Sequence, residues 1–208
     1  VAGAYIEVKP HTAATAMELS ATADADGTLR LSSSEIGQFT TPLFKLGSSA
    51  TTNGIVVDEP FAPANFTSAS FITDSWINQN TGKTITIPNL NADAISGEVS
   101  LNESNAVSGK LAGRAGSDGF SFVNAGALNI GQVDVVNNGI NTSSGGQVSL
   151  TAGGAITQSA GAILSTTGTL STTSQGGTSL GEANAVRYWI ANNTVSGNIV
   201  FDNVGSAL

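Results

Sequence analysis

Shifted by 79 residues against itself, the chain aligns residues 82–129 with residues 161–208 without a gap, and thirteen of the 48 positions are identical. A composition this biased gives about one identity in twelve by chance. The identities include Gly82/Gly161, Ser100/Ser179, Leu101/Leu180, Glu103/Glu182, Asn105/Asn184, Ala106/Ala185, Val107/Val186, Phe122/Phe201 and Asn124/Asn203. A rival register of 88 residues pairs Asn105-Ala106-Val107-Ser108-Gly109 with Asn193-Thr194-Val195-Ser196-Gly197. Internal repetition of this kind constrains the fold severely, because one repeat unit cannot bury its own apolar face and must stack on the next.

The local pattern gives the nature of the unit. Apolar residues alternate with polar ones at Thr84–Ile87, Glu98–Leu101, Gly119–Phe122, Gln132–Val135, Gln147–Leu150 and Gly197–Phe201. Period-two alternation over about four residues predicts short strands with one buried face. Apolar centres at Val148, Ile156, Ile163 and Leu170 follow one another at intervals of 8, 7 and 7 residues. Asn138-Gly139, Gly145-Gly146, Gly153-Gly154 and Gly176-Gly177 supply turns between them. Helical pattern is confined to Ala13–Leu19, which is too short to persist as a helix. These features predict one all-β domain over 1–208, a parallel β-solenoid whose first 80 residues form less regular coils. At roughly 20 residues per coil, 79 residues make about four coils, and about nine coils would form a rod roughly 40 Å long. Glu103 and Glu182 would then lie about four coils, or roughly 19 Å, apart.

Composition removes whole classes of function. Only seven Lys and Arg stand against fifteen Asp and Glu, giving a net charge of −8. No basic cluster exists to neutralise nucleic acid or an anionic membrane surface. Charged residues are 11% of the chain, so Ser, Thr, Asn and backbone must wet the surface. Low charge suits stacking, since like charges repeated at strand spacing repel. The absence of cysteine excludes disulfides, thiolate zinc sites and a cysteine nucleophile, and suits export. No apolar run approaches the length of a membrane-spanning helix. The chain opens at Val1 without a signal peptide and reads as a mature product or an excised piece.

Within this frame Ser100-Leu101-Asn102-Glu103-Ser104-Asn105-Ala106-Val107-Ser108-Gly109-Lys110-Leu111-Ala112-Gly113 is distinctive. So are Phe120–Gly131, Gly139-Ile140-Asn141-Thr142, Gly146–Thr151 and, upstream, Leu29–Ile36, Leu43–Gly47 and Gly54–Val57. Over residues 28–208 the chain resembles the repeat regions of large filamentous-haemagglutinin-like exoproteins of Gram-negative bacteria. That resemblance implies a right-handed parallel β-helix, secretion to the cell surface, and roles in adhesion or extracellular filaments. The Asn-Pro-Asn-Leu motif of that family's secretion domain is not reproduced. Ile87-Pro88-Asn89-Leu90 lacks the first Asn and sits mid-chain, so the segment reads as shaft. No Arg-Gly-Asp occurs, and the family offers no catalytic residues to carry over.

Candidate chemistry is sparse. His11 is the sole histidine, and no Gly-x-Ser-x-Gly elbow accompanies it. Asp24-Ala25-Asp26-Gly27 opens like a calcium loop and places Glu35 twelfth, but Thr28 fills position five and Leu29-Arg30-Leu31 reads as strand. Adjacent Asp58 and Glu59 would point to opposite faces of a strand. Thr84-Ile85-Thr86 is an isolated Thr pair, not the recurring row an ice-binding face needs. The glycosylation sequons at Asn65, Asn102, Asn141 and Asn192 arise readily in so Asn/Ser/Thr-rich a chain. The one local gain is Arg187-Tyr188-Trp189, where the earlier repeat has Ser108-Gly109-Lys110. Arg187, Tyr188 and Trp189 are therefore the candidate contact for a glycan or another surface; Trp76 is a second aromatic of that kind, and the alternative for both is packing in the core or over an exposed seam.

The expected function is a non-enzymatic adhesive shaft segment of a secreted or surface exoprotein, without catalytic residues, metal or cofactor. Expected partners are a host or neighbouring-cell glycan or protein, other segments of the same exoprotein, or copies of the chain; nucleic acid and membrane insertion are excluded. The alternatives are a self-associating filament subunit and a polysaccharide-binding or -processing β-helix.

Overall fold

The computed structural model describes residues 4–22 and 27–205. Its elements in chain order are β1 (Tyr5–Val8), β2 (Ala16–Leu19), β3 (Thr28–Leu31), α1 (Ser33–Ile36), β4 (Leu43–Gly47), β5 (Ile55–Val57), β6 (Ser68–Thr73) and β7 (Ile77–Gln79). They continue with β8 (Thr86–Ile87), β9 (Asn89–Ala94), β10 (Val99–Val107), β11 (Lys110–Ala115), β12 (Phe120–Asn124), β13 (Leu128–Ile130) and β14 (Gly139–Thr142). The last are β15 (Val148–Ala152), β16 (Ile156–Gln158), β17 (Ile163–Ser174), β18 (Thr178–Asn193) and β19 (Ile199–Asn203). The protein is all-β, as the alternation predicts, and the 19 strands among the described residues form one hydrogen-bonded network.

Every pairing between these strands is parallel. From β4 onward, paired residues lie 19 to 28 positions apart in sequence. Parallel neighbours cannot be joined by a hairpin, so the chain leaves each strand, runs through other ladders and returns. One ladder runs β1–β4–β6–β9–β11–β14–β17. A second runs β3–β2–β5–β7–β10–β12–β15–β17–β18. A third runs β13–β16–β18–β19. Strands β11, β17 and β18 are long enough to serve two ladders, which closes a six-strand parallel circuit, β11–β13–β16–β18–β17–β14.

Alternation decides which side chains the ladders bury. Met17, Ile55, Ile77, Val99, Phe120, Val148, Leu170 and Trp189 form one column, and all but the last are at most 1% exposed. The neighbouring inward column includes Leu19, Val57, Leu101, Phe122 and Leu150. Burying a Leu or Phe in such a column contributes about 1.5–3 kcal/mol. The amino-terminal part packs differently: rings of Phe39, Phe44, Phe66, Phe61 and Phe71 follow one another at centroid distances of 5.3 to 6.2 Å. Here the interval between paired residues is 38, because β3, α1 and β4 lie between β2 and β5.

Ala16–Leu19, within the stretch too short to persist as a helix, is strand, since Met17 and Leu19 point into the core on a period of two. Three local expectations are corrected. The one described helix is α1, started by a Ser32/Glu35 capping box and ended at Gly37. Gln132–Val135 is no strand: Asp134 is buried while Val135 is 73% exposed, so the segment leaves the ladder. Ile163 points outward and Leu164 fills the core, which breaks the 7-residue spacing.

Candidate functional site

The 79-residue repeat is a repeat of polar chemistry. In β10 the register slips between Leu101 and Asn105 against β12, and in β18 it slips between Leu180 and Asn184 against β19. Each bulge pushes out the residues around Glu103 or Glu182, and nearby backbone groups must find other partners. Asn105, fully buried, accepts at Oδ1 from Gln79 Nε2 (2.7 Å) and from the Ile85 amide (2.8 Å), and donates from Nδ2 to the Leu101 carbonyl (3.1 Å). Asn184 accepts from Gln158 Nε2 (2.7 Å) and the Leu164 amide (2.9 Å) and donates to the Leu180 carbonyl (3.1 Å). Gln79 Oε1 takes the Glu103 amide at 3.1 Å, and Gln158 Oε1 takes the Glu182 amide at 3.3 Å. On the paired strands, Asn124 Oδ1 receives the Val107 amide (2.8 Å) and Asn203 Oδ1 the Val186 amide (2.9 Å). Gln79 and Gln158 lie outside the window 82–129, but continuing the 79-residue shift upstream would have found them, together with Ile77/Ile156.

Glu103 and Glu182 are thus equivalent in chemistry but stand in different ladders, β10 in the second and the first half of β18 in the third. They do not form the column of carboxylates spaced by four coils that the repeat predicts. Glu182 Oε2 accepts from the Gly161 amide at 2.8 Å.

The candidate contact Arg187-Tyr188-Trp189 is divided by the pleat of β18. Trp189 points inward, stacks on Phe201 at 4.3 Å and donates Nε1–H to Thr172 Oγ1 at 3.2 Å. Tyr188 points outward and is 56% exposed, with the Arg187 guanidinium 5.1 Å from its ring centroid. Only Arg187 and Tyr188 are presented to solvent as a pair. Trp76 packs its ring against Gly54, where a Cβ would approach to 2.3 Å.

The remaining sequence candidates are dispersed. His11 is exposed in a loop. Asp24 and Asp26 lie outside the described residues. Glu35 serves α1: hydrogen bonds from the Ser32 amide and hydroxyl, both 2.8 Å, hold its carboxyl below the ordinary value of 4.5. Asp58 accepts from Asn80 Nδ2 at 2.6 Å, whereas Glu59 turns to the Ser33 amide. Thr84 and Thr86 flank the buried Ile85. Among the described residues no three of His, Cys, Asp and Glu gather as a metal-binding group.

Two arrangements escape sequence reasoning because their partners are far apart in the chain. The first is a strap. Residues 131–138 leave β13 and cross the outer face of the first ladder, where Lys45, Ser70, Asn91 and Ala112 stand in one column. Asn137 Nδ2 donates to Asn91 Oδ1 (3.0 Å), and Asn91 Nδ2 to Ser70 Oγ (2.7 Å). Asp134 meets Lys45 Nζ at 2.9 Å, and that ammonium lies 4.6 Å from the Tyr5 ring centroid. Beside the strap, Arg114 grips fully buried Asp93 through two bonds of 2.8 and 3.1 Å. The second is an open polar groove of about 470 Å³ beside β10, β12 and β15, lined by Glu98, Ser100, Asn102, Asp118, Ser121 and Gln147. Its hydroxyls, amides and carboxylates can hydrogen-bond a neutral hydroxylated ligand; Asn102 already bridges Ser100 (2.9 Å) and Ser121 (2.5 Å).

No family model matches the chain, and no curated protein or solved structure matches it significantly.

Proposed function

We propose that the chain is a non-enzymatic structural and adhesive segment of a secreted or cell-surface bacterial exoprotein, similar to the repeat regions of filamentous-haemagglutinin-like proteins. In this reading the fold is a right-handed parallel β-helix of about nine coils. The observation that carries the reading is the inward column from Met17 to Trp189, in which each parallel neighbour comes from a later passage of the chain. The six-strand circuit then follows from β17 and β18 bending around corners. A stack of this kind holds outward side chains at fixed spacing along a rod, which suits a shaft displaying contacts for a glycan or protein surface. Arg187 and Tyr188 are the proposed contact on this segment, and no cofactor is required.

Two measurements test it. An experimental structure should return right-handed coiling, and a left-handed winding would overturn the fold assignment. The polypeptide carrying these peptides, isolated from its native source, should be many times larger than this chain and cleavable by protease added to intact cells. A small intracellular product would overturn the function. A self-associating filament subunit is the second reading, favoured by Ile190, Ile199 and Val200, which leave apolar surface on β18 and β19 (46–62% exposed). The groove beside Ser100 and Ser121 favours the third, a polysaccharide-binding surface.

A further inference from the structure

The chain contains two Asn-Gly steps, Asn53-Gly54 and Asn138-Gly139. Their side chains are held differently. Asn53 Oδ1 accepts a hydrogen bond from the amide of Gly54 itself, at 2.8 Å, so the nitrogen that follows Asn53 lies against its carboxamide. Asn53 Nδ2 donates to the Ala14 carbonyl at 3.0 Å, and the residue is half-buried, within reach of water. Asn138, which is exposed, instead donates Nδ2 to the Gly161 carbonyl at 2.9 Å, and its Oδ1 takes no bond from the Gly139 amide.

We propose that Asn53 is a site of spontaneous covalent modification, losing ammonia through a succinimide closed by the Gly54 nitrogen. The Gly54 amide gives up its proton to solvent base, and its nitrogen forms a bond to Asn53 Cγ. The Cγ–Nδ2 bond breaks, and Nδ2 leaves as ammonia after taking a proton. Water then opens the ring at one of its two carbonyls. Opening at Cγ gives an aspartyl residue, and opening at the backbone carbonyl gives an isoaspartyl residue. The net change is amide plus water to carboxylate plus ammonium. Glycine at 54 leaves the attacking nitrogen unhindered, and packing fixes that glycine, because a Cβ there would sit 2.3 Å from the Trp76 ring.

Both products remove the donor that holds the Ala14 carbonyl. The isoaspartyl product also adds a backbone methylene two residues before Ile55, whose register places it between Met17 and Ile77. Modification therefore loosens β2 from β5 and acts as an ageing mark on the amino-terminal part of the fold.

The test incubates the whole folded protein in mildly alkaline buffer, with a second sample in denaturant, and follows each Asn-Gly site by peptide mass spectrometry. In the folded chain Asn53 should gain about 1 Da several-fold faster than Asn138, with isoaspartate at that position. In denaturant the two rates should converge. Asn53→Gln, which needs a larger ring, should abolish the gain in that peptide. A folded chain in which Asn138 keeps pace with Asn53, in which Asn53 stays intact, or in which Asn53→Gln still gains the mass, would overturn the proposal.

Discussion

Asn105 and Asn193 stand in one column of the parallel sheet, four pairings apart, through Asn124, Ala152 and Ser174. Their separation of 88 residues is the rival register visible in the sequence, and it averages 22 residues per pairing. The stronger 79-residue register connects Asn105 to Asn184, which lies in another ladder. One interval therefore records which residues stack, and the other records where the same bulge-and-clamp chemistry recurs. Asn recurs because its amide offers a donor and an acceptor on one short side chain, which is what the interrupted ladder lacks.

The clamp should be a principal determinant of stability. Asn105→Ala leaves the Ile85 amide and the Leu101 carbonyl without this partner in a buried site, while Gln79 Nε2 keeps the Lys83 carbonyl. Each orphaned group costs about 1–3 kcal/mol, so a loss of about 3 kcal/mol is expected in denaturant unfolding. Asn184→Ala should behave alike, while Asn102→Ala, on the exposed bulge, should stay within about 0.5 kcal/mol. Equal effects at Asn102 and Asn105 would remove the clamp from the account.

How much of this could be read from sequence depends on range. Val99, Leu101, Phe120 and Phe122 announce themselves through alternation, because each strand's pattern is local. Gln132–Val135 shows the same alternation and is not a strand; its decisive partner, Lys45, is separated from Asp134 by 89 positions and carries no local signal. The capping box at Ser32 and Glu35 is legible as S-x-x-E, and Leu29-Arg30-Leu31 beside it is strand, as its alternation predicts. The candidate Arg187-Tyr188-Trp189 rests on residue type, and type alone does not say that the pleat sends Trp189 inward.

That division at β18 gives a prediction. Trp189→Ala removes the ring stacked on Phe201 at the last rung of its column. Since Trp189 is only partly buried, the expected cost is about 1–2 kcal/mol, below the roughly 3–5 kcal/mol of Phe122→Ala in mid-column. Tyr188→Ala and Arg187→Ala should leave unfolding unchanged and weaken any surface binding on a glycan or cell-adhesion assay. Binding lost in Trp189→Ala but retained in Tyr188→Ala would reverse the assignment.

Glycines at positive φ differ in what surrounds them. Gly82 (φ +76°) has open space where a Cβ would stand, whereas at Gly139 (φ +109°) the Ile163 carbonyl oxygen lies 2.0 Å from that point. Gly82→Ala should cost only the left-handed backbone penalty, about 1–2 kcal/mol. Gly139→Ala must also displace a neighbouring strand's backbone, so a larger loss is expected in thermal unfolding. Equal shifts of melting temperature for the two variants would contradict the close approach of β14 and β17.

The strap supplies the last prediction. Lys45 and Asp134 side chains are 13% and 2% exposed, so their contact is a buried ion pair. Removing one partner strands the other charge, and Asp134→Ala should cost about 3 kcal/mol. Replacing both, with Lys45→Met and Asp134→Leu, should recover most of that loss, because the desolvation of two charges disappears along with their attraction. The strap's tip, Val135 and Val136, is exposed already, so opening is read as faster cleavage between them by a protease that prefers small aliphatic residues. Asp134→Ala should be cut faster than the parent chain and the double variant at close to the parent rate. Equal cleavage of all three would mean that Asn137 on Asn91, rather than the ion pair, holds the strap to the sheet.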